Sequence, residues 1–116
     1  MSVVYLSGGI TGVPDYKNRF DNAEIALKAM GYEKIINPAH LDKVMESFSY
    51  EEYMSVCFGL IDIADVVVML PESEKSAGAT REEMYAAAKH KLIVKQWKDK
   101  DGNTHTPRIP RDVHVV

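Results

Sequence analysis

Apolar residues along the chain fall into two alternating kinds of pattern, short continuous runs and longer segments with helical spacing. The continuous runs are rich in β-branched residues and are typical of buried parallel strands. They occupy residues 3–6, 34–37, 65–70 and 92–94. Between these runs, apolar positions at helical spacing predict helices that begin after Asp15 and at about Tyr50, and a segment rich in Ala, Glu, Met and Lys predicts a third over 79–89.

This alternation of strands and helices predicts an α/β fold. Specifically, it predicts a doubly wound parallel sheet of four to five strands, Rossmann-like or flavodoxin-like, with helices on both faces. We expect one domain over 1–97, followed by a tail over 98–116 that forms a hairpin or an interface segment, since Asp101-Gly102-Asn103 is a hairpin-type turn. Residues 113–116 could add a further strand. In such sheets ligands bind outside the carboxyl ends of the strands.

Composition and charge narrow the class of protein. A chain of 116 residues with 46% apolar content can bury one core, and a net charge of −3 gives no reason to expect a nucleic acid polymer or a membrane as partner. A single cysteine, Cys57, and no signal-like apolar segment predict a cytoplasmic protein. We expect no bound metal, because no histidine shares a short ligand spacing with another histidine or the cysteine. The histidines are His40, His90, His105 and His114.

A glycine-rich loop, Ser7-Gly8-Gly9-Ile10-Thr11-Gly12, follows the first predicted strand. Glycines allow a ligand to approach the backbone amides closely, and the two hydroxyl side chains add hydrogen-bonding capacity. The spacing matches neither a Walker A loop nor the dinucleotide fingerprint. The loop therefore predicts either a ligand site or an ordinary tight connection between strand and helix.

A second segment, 76–83, combines a glycine with a carboxylate one helical turn later. Gly78 permits close approach, Ser76 or Thr80 can cap the helix, and a helix N-terminus favours negative charge. Glu82 shares a helical face with Ala79 and Ala86, whereas Glu83 is rotated by about 100° and is expected to be solvated. The segment also fits an ordinary helix start.

Taken in order, these segments resemble a known enzyme superfamily. The motifs Y-L-S-G-x-I-T-G, I-N-P-A, A-D-V-V-V-M-L-P and S-x-G-A-x-x-E are similar to those of the nucleoside 2-deoxyribosyltransferase superfamily over roughly residues 3–95. The resemblance is strongest to a branch common in bacteriophages and prophages, and more distant to the deoxynucleoside 5′-monophosphate N-glycosidases. It implies cleavage of a base–sugar bond without a cofactor, and a homodimer or higher homo-oligomer.

The resemblance also implies roles for individual residues. Glu82 matches the glutamate that attacks C1′ of the deoxyribose, and Tyr5 matches a tyrosine beside it. The loop residue Gly8 matches the ligand loop, and Ser76 matches a serine that contacts the 5′-phosphate. The expected substrate-binding residues are Ser7, Gly8, Gly9, Ile10, Thr11, Ser76, Gly78 and Asp62.

Several positions depart from the superfamily pattern, and three of them bear on the site. Gly9 and Thr11 stand where the N-glycosidases carry a serine and an arginine, and Cys57 stands where relatives carry an aspartate that assists the leaving base. The first carboxylates that follow Cys57 in the sequence are Asp62 and Asp65, which are the candidates to replace that aspartate. These departures keep a second hypothesis open, a nucleotide-binding protein with weak or no catalysis, and a third, a structural protein whose loops are only turns.

Overall fold

The computed structural model describes residues 2–109 and has strands and helices in alternating order. The four strands of the main sheet are β1 (Val3–Ser7), β2 (Lys34–Ile36), β3 (Val66–Met69) and β4 (Leu92–Lys95). The helices are α1 (Tyr16–Ala29), α2 (Tyr50–Ile63) and α3 (Ala77–Ala88). Two short 3₁₀ helices follow β2 and β3, at Pro38–Leu41 and Ser73–Lys75.

The main sheet is entirely parallel, with strand order β2-β1-β3-β4. This order confirms the predicted doubly wound α/β fold. The chain leaves β1 in one direction toward β2 and then returns to pair β3 on the other side of β1. The carboxyl ends of β1 and β3 therefore flank the point at which the winding reverses, where open α/β sheets bind ligands.

Alternation of side chains along β1 divides the core into two layers. Val4 and Leu6 pack in one buried cluster with Phe20 and Leu27 of α1. Tyr5 faces the opposite side and packs with residues of α2 and α3. Because successive side chains on a strand point to opposite faces, Ser7 shares the face of Tyr5. Both polar side chains are thus directed toward α3.

Capping groups set the starts of α2 and α3. Ser49 and Glu52 form a capping box at the start of α2. Ser76 accepts a hydrogen bond from the Ala79 amide, so Ser76 rather than Thr80 caps α3, and the helix begins two residues earlier than predicted. α1 begins after Asp15 as predicted, but the Asp15 carboxylate makes no capping hydrogen bond and pairs instead with Arg19 at 3.0 Å.

The chain after β4 forms a small antiparallel hairpin. Trp97–Lys98 (β5) pairs with Thr104–His105 (β6), and the Asp99 carboxylate accepts hydrogen bonds from the amides of Asp101 and Asn103 in the turn. The Tyr32 hydroxyl donates to the Ile109 carbonyl at 2.7 Å and so holds the segment after the hairpin against the core. The strand predicted at 113–116 lies outside the described residues. Within 2–109, no helix is long and apolar enough to cross a membrane.

Candidate active site

A cavity of about 660 Å³ opens at the carboxyl edge of the sheet. Its walls come from the loop after β1, the segment after β2, the first turns of α2 and the start of α3. The lining residues are Gly8, Ile10, Thr11, Phe20, Pro38, Asp42, Met45, Phe48, Tyr50, Tyr53, Met54, Lys75, Ser76, Ala77, Gly78, Ala79 and Glu82. This volume lies within the range of pockets that bind small molecules.

Glu82 is the buried carboxyl group of this cavity. Glu82 is only 6% exposed. Both of its carboxylate oxygens accept hydrogen bonds from side chains of β1. The Tyr5 hydroxyl donates to Oε2 at 2.5 Å, and the Ser7 hydroxyl donates to Oε1 at 2.7 Å. The sheet therefore holds the carboxylate in one orientation from below, while the Glu82 residue still lines the cavity.

The local packing explains why Glu82 and not its neighbour occupies this place. Ala79, Glu82 and Ala86 form the buried face of α3, and the two small alanines let the helix lie close to β1. Glu83 lies off this face. It is half-buried and pairs with Lys95 at 3.0 Å, so its side chain is ion-paired rather than freely solvated as predicted.

Burial dominates the electrostatics of Glu82. Loss of solvation raises the pKa of its carboxyl above the ordinary value, and hydrogen bonds from Tyr5, Ser7 and Cys57 partly oppose that rise. The pKa of the Tyr5 hydroxyl is raised well above its usual range, first by burial and then by the negative charge of Glu82. Tyr5 therefore remains a hydrogen-bond donor whenever Glu82 is ionised.

Cys57 lies in the same buried cluster as Tyr5. Burial, followed by the nearby Glu82 charge, raises the pKa of the Cys57 thiol to about 12. At neutral pH the thiol is thus protonated and acts as a weak donor in this cluster. Such a thiol cannot take the place of a carboxylic acid that gives up a proton near neutrality.

The glycine-rich loop reaches the cavity with some of its residues only. Gly8, Ile10 and Thr11 line the cavity, whereas Ser7 holds Glu82 from beneath. A Cβ on Gly8 would lie 3.1 Å from the Leu70 Cβ, so a side chain at this strand end would force Leu70 to shift by a few tenths of an ångström. Gly9 is not among the lining residues.

The loop after β1 and the start of α3 lie against each other. A Cβ added to Gly9 would stand 3.5 Å from the Ser76 Cβ, and one added to Gly78 would stand 3.4 Å from the Tyr50 hydroxyl oxygen. Ser76 and Gly78 both line the cavity. The structure thus brings together two segments that are about 70 residues apart in the sequence.

Asp62, an expected substrate-binding residue, lies away from the cavity. Its carboxylate accepts a hydrogen bond from the Tyr85 hydroxyl at 2.8 Å on the surface. Asp65 is structural, since its carboxylate accepts from the Val3 amide at 2.9 Å. The physical reason is helix direction: α2 runs opposite to the strands, so its last turn lies at the amino edge of the sheet, away from the ligand site.

Sequence reasoning did not identify several residues of the wall. Asp42, Met45 and Phe48 come from the segment after β2, which the sequence pattern presents only as a loop. Tyr50 and Tyr53 come from the first turns of α2. The signal that could have identified Asp42 is its place, an acidic residue soon after a parallel strand ends and hence near the ligand-binding edge.

Among residues 2–109, one group of possible metal ligands lies outside the cavity. The ligand atoms of Asp21, Glu24 and His40 lie within 4.8 Å of one another. The Asn37 amide donates to both carboxylates, at 2.9 and 3.0 Å, and so explains why they converge. Asp21 and Glu24 lie three residues apart on α1, whereas His40 lies in the 3₁₀ helix after β2, so sequence spacing alone does not predict the group.

The chain matches a family model and a solved structure. The model of a family described as "Domain of unknown function (DUF4406)" matches residues 2–95. No curated protein matches the chain. Among solved structures, a 2-desoxiribosyltransferase from Leishmania mexicana has the same fold, with a TM-score of 0.61 and 20% sequence identity over 85% of this chain and 66% of the other. The present chain thus spans a little under two thirds of that protein.

Proposed function

The chain belongs to the DUF4406 family, and we propose that it is an N-glycosidase or deoxyribosyltransferase that cleaves the base–sugar bond of a deoxynucleoside or deoxynucleotide. The observation that carries this proposal is Glu82, a buried carboxylate held by Tyr5 and Ser7 at the floor of a nucleoside-sized cavity. The fold shared with a 2-desoxiribosyltransferase supports it.

In this proposal Glu82 is the nucleophile. One carboxylate oxygen attacks C1′ of the deoxyribose, the C1′–N bond breaks, and its electron pair leaves with the base. Water or a second base then attacks C1′ from the other side, and the electrons of the ester bond return to Glu82. Two displacements on the same carbon retain its configuration.

The hydrogen bonds from β1 suit a nucleophile that must be held in a fixed orientation toward C1′. Tyr5 and Ser7 restrict the carboxylate to one plane, which reduces the entropy lost on reaching the transition state. Burial removes water that would otherwise solvate the attacking oxygen. No residue in this scheme requires a cofactor.

The cavity wall matches the two ends of a nucleoside. Aromatic rings of Phe48 and Tyr53 offer surfaces for stacking a base, whereas Tyr50 lies beside the start of α3 with the Arg81 guanidinium over its ring. Ser76 and Lys75 also line the cavity at the start of α3, where backbone amides favour a hydroxyl or an anion. We propose that the base faces the aromatic wall and that the 5′ end of the sugar faces Ser76.

The test is base release from a panel of deoxynucleosides and their 5′-monophosphates. Wild-type protein should release free base from at least one member, and Glu82→Gln should reduce the rate by roughly 10⁴-fold or more, as loss of a covalent nucleophile does. Glu83→Gln is the matched control and should retain activity, because Glu83 pairs with Lys95 outside the cavity. Failure of the wild type on every member would refute the proposal.

A second function, nucleotide binding with little or no catalysis, is favoured by one observation. Cys57 supplies a protonated thiol next to Glu82, at the position where relatives are expected to carry a carboxylic acid. A shift of the thermal melting point with a nucleotide, together with no base release, would favour this function over the enzyme.

A further inference from the structure

We propose that Asp42 is the proton donor to the departing base, an inference that rests on the glycosidase chemistry proposed for Glu82. Among the described residues lining the cavity, Asp42 and Glu82 are the carboxyl groups. Glu82 has both oxygens committed to Tyr5 and Ser7. Asp42 is therefore the carboxyl group that remains for the leaving base.

Asp42 reaches the cavity on a different segment from Ser76. It follows the 3₁₀ helix after β2, on the segment that also brings Met45 and Phe48 to the cavity, and its charge acts on the Tyr53 hydroxyl. Ser76 and the start of α3 instead favour a hydroxyl or anion. A carboxylate would repel a phosphate but can exchange a proton with a ring nitrogen, so the charge pattern orients the base toward Asp42.

The surroundings of Asp42 favour its protonated form more than water does. Its side chain is only 25% exposed, and burial raises the pKa of the carboxyl. The facing cation is Lys17 on α1, whose Nζ lies 4.0 Å away on a side chain that is 55% exposed and hence well screened. From α2 the titratable neighbour is Tyr53, whose pKa is raised chiefly by burial and slightly by the charge of Asp42.

The proton balance closes with these two carboxyl groups. In the first step Glu82 forms a bond to C1′, the C1′–N electrons pass to the base, and the Asp42 hydroxyl gives its proton to a ring nitrogen. Neutral base leaves, and Asp42 is ionised. In the second step Asp42 takes a proton from the water that enters the vacated base position, that water attacks C1′, and the ester electrons return to Glu82.

The test compares two leaving groups in wild-type protein and in Asp42→Asn. Deoxyguanosine requires a proton on the leaving base, whereas N7-methylated deoxyguanosine is already cationic and leaves as a neutral base without one. Asp42→Asn should slow release from deoxyguanosine by roughly 10²–10⁴-fold and leave release from the methylated substrate within a few-fold of wild type. Where deoxyguanosine is not the preferred base, the preferred deoxynucleoside takes its place in the comparison.

The pH dependence gives a second readout. For the unmethylated substrate, the wild-type rate should fall as pH rises through the pKa of Asp42, and this fall should be absent in Asp42→Asn and with the methylated substrate. Glu46→Gln, an exposed carboxyl group in the same segment, is the matched control and should behave as wild type.

The outcomes separate the two proposals. Equal slowing of both substrates by Asp42→Asn would overturn the role of Asp42 as a proton donor while leaving Glu82 as the nucleophile. Unchanged rates with both substrates would also overturn it. Absence of cleavage of either substrate by the wild type, together with inactivity on the whole panel, would overturn the glycosidase proposal itself.

Discussion

At the scale of single residues, the distinctive feature is a carboxylate whose two oxygens are held by hydroxyl groups of one strand. Tyr5 and Ser7 are two positions apart on β1, so both side chains reach the same face and meet Glu82 from below. A hydrogen bond to a charged group contributes about 1.5–3 kcal/mol. Each hydroxyl therefore affects both the orientation and the ionisation of Glu82.

Removal of the Tyr5 hydroxyl tests this arrangement. Tyr5→Phe should reduce kcat/KM by roughly 10- to 100-fold, the rate equivalent of one hydrogen bond to a charged group. Because the bond from Tyr5 lowers the pKa of Glu82, its loss should also move the acid limb of the pH–rate profile to higher pH. Base-release rates measured across pH give both quantities.

Tyr32→Phe is the matched control for this change. The Tyr32 hydroxyl donates to the Ile109 carbonyl in the other core layer, so its removal should lower stability without moving the pH–rate profile. An acid limb that stays in place in Tyr5→Phe would contradict the assigned interaction.

At the scale of elements, the site depends on where helices begin rather than on how long they are. α3 begins at the carboxyl edge of the sheet with Ser76 as its cap, and α2 contributes Tyr50, Tyr53 and Met54 from its first turns. A substitution in the second half of α2, away from the cavity, can therefore change the stability of the helix without changing the geometry of the site.

Gly59 provides such a change. It lies in the interior of α2, and a Cβ added there would meet no atom within 4 Å. Gly59→Ala should raise the free energy of unfolding by about 0.5–1 kcal/mol, since alanine loses less backbone entropy in a helix. Denaturant unfolding measures this gain, and base release should be unchanged.

Gly12 is the contrasting position. It also has no atom within 4 Å of an added Cβ, but its φ is +76°, a conformation that disfavours alanine. Gly12→Ala should therefore lower the unfolding free energy where Gly59→Ala raises it. The same sign of change at both positions would contradict the helical and left-handed assignments.

At the scale of the whole molecule, the buried charge of Glu82 makes stability depend on pH. The folded-state pKa of Glu82 is raised above its ordinary value of 4.5, so the folded protein holds this proton more tightly than the unfolded chain does. The contribution of Glu82 to stability is thus fully present below the unfolded pKa and is lost as pH rises through the folded pKa.

Glu82→Gln removes this dependence, because an amide does not ionise. The variant should gain stability relative to wild type as pH rises from below 4.5 to neutrality, even though it loses activity. Thermal unfolding of both proteins across this pH range measures the difference. For Glu83→Gln we expect no gain in stability over wild type as pH rises. If the stability difference between Glu82→Gln and wild type did not change with pH, a desolvated Glu82 carboxyl would be contradicted.

Much of the fold could be predicted from local periodicity. The β-branched runs defined the four parallel strands, and helical spacing placed Glu82 rather than Glu83 on the buried face with Ala79 and Ala86. These predictions succeeded because the side-chain periods of strands and helices are properties of the backbone and are already present in a single segment. The domain division at 97 and the homo-oligomer stay predictions.

The sequence by itself determined the α/β architecture and the two motifs that follow β1 and precede α3. It also carries the resemblance to the nucleoside 2-deoxyribosyltransferase superfamily from which a nucleoside substrate was expected. Only the tertiary structure decided that Ser7 faces Glu82, that Asp42 lines the cavity and that Asp62 lies at the opposite edge of the sheet. The segment that carries Asp42 has no regular period, so nothing local shows its direction. Distances between separate segments depend on how the layers pack, which no single stretch of sequence contains.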